Sequence, residues 1–390
     1  MCLCSKIYLI ALVAVSVAIE SNKIPSVTTF PVYWNVPTFQ CDSHKINFTT
    51  LAIKYGIIQN ENDRFRGSKL AILYDPGAFP AILKAKDSSK TVLRNGGIPQ
   101  RGNLTFHLDL FNETVNNLIE DVDFKGLGII DFESWRPIFR QNFGTLTPYQ
   151  DLSVNELKKL HPFWPDKILK QQAAREFELA AKTFMLETLL LANRLRPNAT
   201  WGYYHYPYCF NMSPANSRTN CPQHVVMENN KISPWLFRNS DNLHPSIYMS
   251  ENYLNVTEKV RMVVGRVKES QRILTSMDSK KPSGIYPYFW YKYQDTRNFV
   301  GKEDLYEILK VLGTLDINGL ILWGSSSDVN SRNNCQELYK YIEFVLGPAI
   351  LDKCTGETAN LQGAMCQIRN PERKCSFLYL YNNCFPQRVQ

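Results

Sequence analysis

Several absences narrow this chain before any feature is weighed. After the first twenty residues, no apolar run approaches the roughly 20 residues a bilayer span requires. No block of lysine and arginine is long enough to suggest a nucleic-acid partner. There is no H-E-x-x-H, no P-loop, no G-x-G-x-x-G and no G-x-S-x-G, and "WGSSSD" at 323–328 lacks the second glycine of a nucleophile elbow. Histidine is scarce, six in 390 residues. His107, His161, His205 and His244 are scattered and read as surface or hydrogen-bonded structural residues rather than ligands. With no C-x-x-C pair either, neither a metal nor a cofactor is expected.

The first residues form a class of their own. "MCLCSKIYLIALVAVSVAIES" has one positive charge at Lys6, an apolar run from Ile7 to Ile19, and the small residues Ser16 and Ala18 where cleavage could follow. This is the pattern of a secretory signal over about residues 1–20, too short for an anchor, and it implies a secreted product with no membrane attachment after cleavage. Cys2 and Cys4 leave with it. The remaining Cys41, Cys209, Cys221, Cys335, Cys354, Cys366, Cys375 and Cys384 are even in number, which in an oxidising compartment argues for disulfides. Sequons at Asn47, Asn103, Asn112, Asn198, Asn211 and Asn255 agree with passage through a secretory pathway and mark candidate glycosylation sites. The net charge of +8 is modest and dispersed, suited equally to an anionic partner and to an ordinary soluble surface.

Along the mature chain, short β-rich runs alternate with amphipathic ones. "FPVYWNVP" (30–37), "AIKYGI" (52–57), "KLAILYD" (69–75), "GLGIIDFE" (126–133), "TWGYYHYP" (200–207), "HPSIYM" (244–249), "GIYPYFWYK" (284–292) and "INGLILWGS" (317–325) read as strands, mostly apolar on both faces. A helix is predicted over 166–196, with Ile168, Phe177, Phe184, Leu191 and Leu195 near helical spacing between Pro165 and Pro197. Further helices are predicted over 254–277 and 302–314. This alternation favours a single α/β domain, a (β/α) barrel over residues 21–350, with chemistry at the C-terminal ends of its strands. Residues 351–390 carry four cysteines and no periodic run, and read as a small disulfide-held extension whose three possible pairings stay open.

Asp131 and Glu133 fall at such a strand end. At positions i and i+2 they share a face, while Phe132 turns into the packing. Two carboxyls so close resist ionising together, and partial burial raises a carboxyl pKa, so one of them can hold a proton for transfer to a glycosidic oxygen. Taken alone, a D-x-E at a strand end is more often a cap and ion-pair partner for a nearby arginine, and Arg136 is available. The aromatic strand ends "WGYYHYPY", "SIYM", "YPYFWYKY" and "LILWGS" shift the balance toward a sugar-binding mouth.

Taken together, "LYDPGAFP", "GGIPQRGNLTFHL", "GIIDFESWRPIFRQNF", "HPFW", "WGYYHYPYCFN", "PSIYM", "WYKYQD" and "LILWGSSSDVN" resemble, in unbroken order over about residues 30 to 350, the animal hyaluronidases, and within them the secreted venom-type enzymes of arthropods. The resemblance implies a distorted TIM-like barrel that hydrolyses the β-1,4 bond after N-acetylglucosamine in hyaluronan, and chondroitin more slowly. It implies hyaluronan and related glycosaminoglycans as partners. Separately, the chain is expected to be a monomer. Glu133 matches the family's proton donor. Asp131 matches the acid that orients the substrate's acetamido group, whose carbonyl oxygen is the internal nucleophile. Tyr204 and Tyr248 match residues that hold that group, Trp323 a wall of its subsite, and Arg136, Ser325, Tyr74 and Asp75 groove contacts. The family also pairs cysteines matching Cys41 with Cys335 and Cys209 with Cys221.

Two competing functions are tested by the same stretch. A chitinase-like hydrolase would place further aspartates two and five residues before the last one, where this chain has Ile129 and Gly126. An inactive glycosaminoglycan-binding protein on the same scaffold would be expected to have lost the acid pair, and both acids are present.

Overall fold

A computed structural model describes residues 30–84, 91–277 and 282–355. The signal peptide expected over 1–20 lies outside the described residues, as do the extension beyond residue 355, with Cys366, Cys375 and Cys384, and the side chain of Cys354. The strands are β1 (Val32–Asn35), β2 (Ile57–Ile58), β3 (Leu70–Tyr74), β4 (Ala81–Lys84), β5 (Thr91–Arg94), β6 (Leu127–Asp131), β7 (Thr200–Tyr203), β8 (Asn242–Leu243), β9 (Gly284–Ile285), β10 (Tyr288–Trp290) and β11 (Leu320–Trp323). The helices are α1 (Thr49–Lys54), α2 (Leu104–Leu118), α3 (Thr147–Leu160), α4 (Asp166–Leu195), α5 (Gln223–Ile232), α6 (Val256–Thr275), α7 (Lys302–Thr314), α8 (Arg332–Tyr341) and α9 (Gly347–Thr355).

Apart from the antiparallel β4–β5 hairpin, the strands pair in parallel. One ladder runs β10–β11–β1–β2 and another β3–β6–β7. Isolated bridges at Tyr204–His244 and Ser246–Tyr288 join them through the segment that begins at β8. The staves therefore follow one another in chain order around a (β/α) barrel. Leu70, Ile72, Leu127 and Ile129 pack in one apolar cluster, and their alternates Ala71, Leu73 and Ile130 in a second cluster with residues of α2 and α4. Burial on both faces is why these strands read as continuous apolar runs. Gly128 has no alternative, because a β-carbon there would stand 2.5 Å from the buried ring of Trp201 on β7.

Three sequence expectations are corrected. Residues 52–57 are not a strand: α1 occupies Thr49–Lys54 and only Ile57–Ile58 pair, since a short apolar run does not distinguish the two periods. Residues 244–249 form bridges rather than a ladder, because Pro245 has no N–H to donate. On α4, Ile168 is exposed and the buried stripe runs through Leu169, Ala173, Phe177, Ala181, Phe184, Met185, Leu189 and Ala192. Three of those positions are alanine, which a ranking by apolarity passes over.

Two devices close the barrel. Cys41, in the turn after β1, is joined to Cys335 on α8, 294 residues later, while Cys209 is joined to Cys221 within one loop. Between β2 and β3 no backbone ladder forms, and the buried side chain of Asn60 spans the gap. Its Nδ2 donates to the carbonyls of Leu70 and Arg64, each at 3.0 Å, and its Oδ1 accepts from the amides of Lys69 and Leu70 at 2.9 and 3.2 Å. One side chain thus does the work of a missing strand neighbour. Asn60→Ala should cost about 2 kcal/mol in denaturant unfolding, because it leaves the Leu70 amide unpaired and its carbonyl with the Gly67 amide alone. A loss within about 0.5 kcal/mol would show that the bridge contributes nothing to closure.

Candidate active site

The parallel register sets Tyr74 at the end of β3 directly opposite Asp131 at the end of β6. One residue on, the amide of Asp75 donates to the Asp131 carbonyl at 2.7 Å. Phe132 is buried, stacked on Phe79 at 4.0 Å and edge-on to Trp135 at 4.7 Å. With Phe132 held inward, alternation turns Asp131 and Glu133 out to the mouth. The Glu133 side chain is 55% exposed, while Asp131 is partly buried.

Their environments push the two acids apart. Burial drives the Asp131 pKa well above the carboxylate range, and the charges of Glu133 and Asp75 drive it further. Burial also acts upward on Glu133, but a hydrogen bond from His205, the charge of His205 and that of Arg136 together outweigh it and hold Glu133 below its usual value. In the open cleft, then, Asp131 holds a proton more tightly than Glu133 does.

Aromatic rings wall the mouth. Trp323 at the end of β11 stacks on Tyr248 at 5.6 Å, meets Trp290 at 5.2 Å, and donates from Nε1 to the Tyr74 hydroxyl at 2.7 Å. Tyr204, one residue past β7, lies 6.1 Å from Tyr248. Burial raises the pKa of Tyr204 and Tyr248, and that of Tyr74 to about 12, so all three phenols remain protonated and able to donate.

The other expected contacts are at the mouth but already engaged. Both carboxylate oxygens of Asp75 are held by Arg94, at 2.6 and 2.8 Å. The Ser325 hydroxyl caps the turn 326–329, accepting from the Ser327 amide at 3.2 Å. Arg136 forms no ion pair with either acid among the described residues. Its guanidinium lies among the rings of Tyr208, Phe210 and Phe143 at 5.0 to 5.4 Å and donates to the Gln141 carbonyl at 2.6 Å, reaching Glu133 only through its field.

Two residues of the site were not expected. Asp328 accepts from Trp290 Nε1, the Tyr291 hydroxyl and the Ser325 amide at 3.0 to 3.2 Å and pairs with Lys292 at 3.0 Å, fixing the β10 and β11 ends together. Its signal was legible as the capping box Ser325–Asp328. His205 had been read as structural, yet its Nδ1 lies 3.1 Å from Glu133 Oε1. Its only sequence signal is its place two residues past the end of a strand.

One glycosylation candidate is corrected. Asn211 is fully buried, donating to the Met262 carbonyl at 3.0 Å and accepting from Arg266 at 3.0 Å, which leaves no room for a glycan in the folded chain. Asn47, Asn103, Asn198 and Asn255 are exposed and Asn112 is half-buried.

A family model described as hyaluronidase matches residues 20–386. The chain belongs to the hyaluronidase family. It is 47% identical over 342 residues to the hyaluronidase of Apis mellifera, covering 87% of this chain and 88% of that one. It is 44% identical over 320 residues to hyaluronidase B of Vespa velutina, covering 82% and 95% respectively. The crystal structure of bee venom hyaluronidase in complex with a hyaluronic acid tetramer matches with a TM-score of 0.79 at 48% identity, over 82% of this chain and 98% of that one. This hyaluronidase therefore shares the TIM-like barrel of its solved relative, in the arthropod venom-type branch.

The raised Asp131 pKa makes this site costly to fold at neutral pH. Below the unfolded value of about 4 the residue is protonated in both states and imposes no penalty. As pH rises past that value, only the unfolded chain gains ionisation freely, so stability is lost. Asp131→Asn should therefore melt higher than the parent at pH 7, with the difference closing toward pH 3; equal melting temperatures across that range would refute the assignment of the proton.

Proposed function

We propose that this hyaluronidase is a secreted endo-β-N-acetylhexosaminidase. It cleaves the β-1,4 bond between N-acetylglucosamine and glucuronate in hyaluronan, with chondroitin a weaker substrate. The observation that carries the reading is the carboxyl pair of opposite proton affinity, set in an aromatic groove at the C-terminal ends of the strands. Secretion is supported by the signal-like leader, the two disulfides and the exposed sequons.

Glu133 is the proton donor. A sugar chain in the groove displaces water from its exposed carboxyl, and desolvation favours the protonated form. As the glycosidic oxygen takes that proton, its bond to the anomeric carbon breaks and the substrate's acetamido oxygen forms a bond to the same carbon. As Glu133 takes up the proton that Asp131 holds in the open cleft, Asp131 becomes the carboxylate beside it, accepts from the acetamido N–H and stabilises the positive charge that develops on the group. Tyr204 and Tyr248 orient the acetamido group by donation, and Trp323 offers a flat face to the sugar ring. Water then adds at the anomeric carbon, giving a proton to Glu133 and reopening the acetamido ring. Two displacements at one carbon retain its configuration without a nucleophile on the protein, which is why the second carboxyl is free for support. Arg136 tunes the charge on Glu133, while Tyr74, Asp75 and Ser325 shape the groove.

Glu133→Gln keeps the shape and removes the transferable proton, so hyaluronan cleavage should fall by about a hundredfold or more while binding persists. Sizing the products of the parent enzyme should give even-numbered, saturated oligosaccharides ending in N-acetylglucosamine. Half-normal activity in the variant, or unsaturated ends from the parent, would refute the mechanism.

A further inference from the structure

We infer that His205 is a positioning residue that fixes which oxygen of Glu133 carries the transferable proton. The inference rests on Glu133 being the proton donor. Two residues past the end of β6, the Glu133 side chain is 55% exposed and engages one hydrogen-bond partner among the described residues, His205 Nδ1 at 3.1 Å from Oε1. When Glu133 is ionised it only accepts, and the contact is then a hydrogen bond with the hydrogen on Nδ1. With Oε1 already accepting, the incoming proton goes to Oε2, since a proton on Oε1 would oppose the imidazole N–H. Oε2 is then the oxygen presented to the glycosidic bond.

The imidazole is itself held in place. His205 adopts φ 73°, an uncommon backbone state for a residue with a side chain. Its amide donates to the His244 carbonyl at 2.9 Å. Its ring is flanked by Tyr208 at 4.4 Å and Tyr204 at 5.4 Å. A donor clamped from both backbone and ring sides can set the orientation of an exposed carboxyl, which a freely rotating one could not.

The charged and titratable groups around the pair come from four elements. Arg136 follows β6, Asp131 ends it, Tyr74 ends β3 and Asp75 follows it, Tyr204 and Tyr208 follow β7, and Arg266 lies on α6. Burial lowers the His205 pKa, the hydrogen bond and charge of Glu133 pull it back up, and Arg266 and Arg136 push it down again. Burial keeps the tyrosines protonated, and Asp131 retains its proton. Asp75 is neutralised by Arg94.

The positive φ selects the variants, because glycine and asparagine both adopt it without much strain. His205→Gly removes the donor. Its kcat/KM at the optimum should fall about tenfold. The alkaline limb of its pH profile should move up by about half a pH unit or more, because Glu133 loses a bond that favoured its ionised form. His205→Asn keeps an N–H near the place of Nδ1 with nothing to titrate, and should recover most of the activity and return the limb toward that of the parent. An unchanged limb and rate in His205→Gly, alongside an inactive Glu133→Gln, would overturn the role of His205 alone. An active Glu133→Gln would overturn the donor assignment and this inference with it.

Discussion

Parallel register is the constraint on which the rest of this structure depends. Because β3, β6, β7, β10 and β11 run in one direction, their last residues arrive on one face of the barrel. Tyr74, Asp131, Tyr204, Trp290 and Trp323 become neighbours although up to 249 residues separate them in sequence. Antiparallel pairing would send alternate strand ends to opposite faces and dissolve the mouth. The ladder is not complete, and closure is supplied by the side chain of Asn60 across the β2–β3 gap and by the disulfide from Cys41 to Cys335.

On that frame the two acids are pushed apart by burial at one and by a hydrogen bond and neighbouring charge at the other. Asp131 is deep enough for burial to dominate, while Glu133, two residues on, faces the groove and is stabilised as an anion by His205 and the field of Arg136. Arg136 acts without touching either acid, since its guanidinium is packed among three aromatic rings. A second layer steadies the first. Arg94 neutralises Asp75, and Asp328 binds the β10 and β11 ends into one unit. A site with a buried acid against a like charge is locally unfavourable, and the surrounding closely packed barrel is what keeps it from relaxing.

The parts legible in the sequence share a physical character. The apolar runs at 69–75, 126–133 and 317–325, and the proline-bounded helix at 166–196, report burial or backbone restriction acting locally, so their pattern survives in one dimension. The alternation around Phe132 is equally local, and it was enough to place both acids on one face. Legibility failed where a choice depended on distant groups. The run at 52–57 was split, its first residues ending α1 and Ile57 pairing with β1, and the buried stripe on α4 includes Ala173, Ala181 and Ala192, which rank low on apolarity. Asn60 looks like any loop asparagine until β3 is beside it.

The sequence by itself determined that this is a (β/α) barrel with two acids at a strand end and aromatic residues at several others, because periodicity, alternation and turn chemistry are local properties of the chain. Only the tertiary structure decided which acid keeps the proton. That choice follows from the relative burial of Asp131 and Glu133, from Asp75 arriving with β3, and from a histidine 72 residues away that comes to lie against one carboxylate oxygen. Solvation and through-space charge are properties of the assembled fold, and no spacing along the chain encodes them.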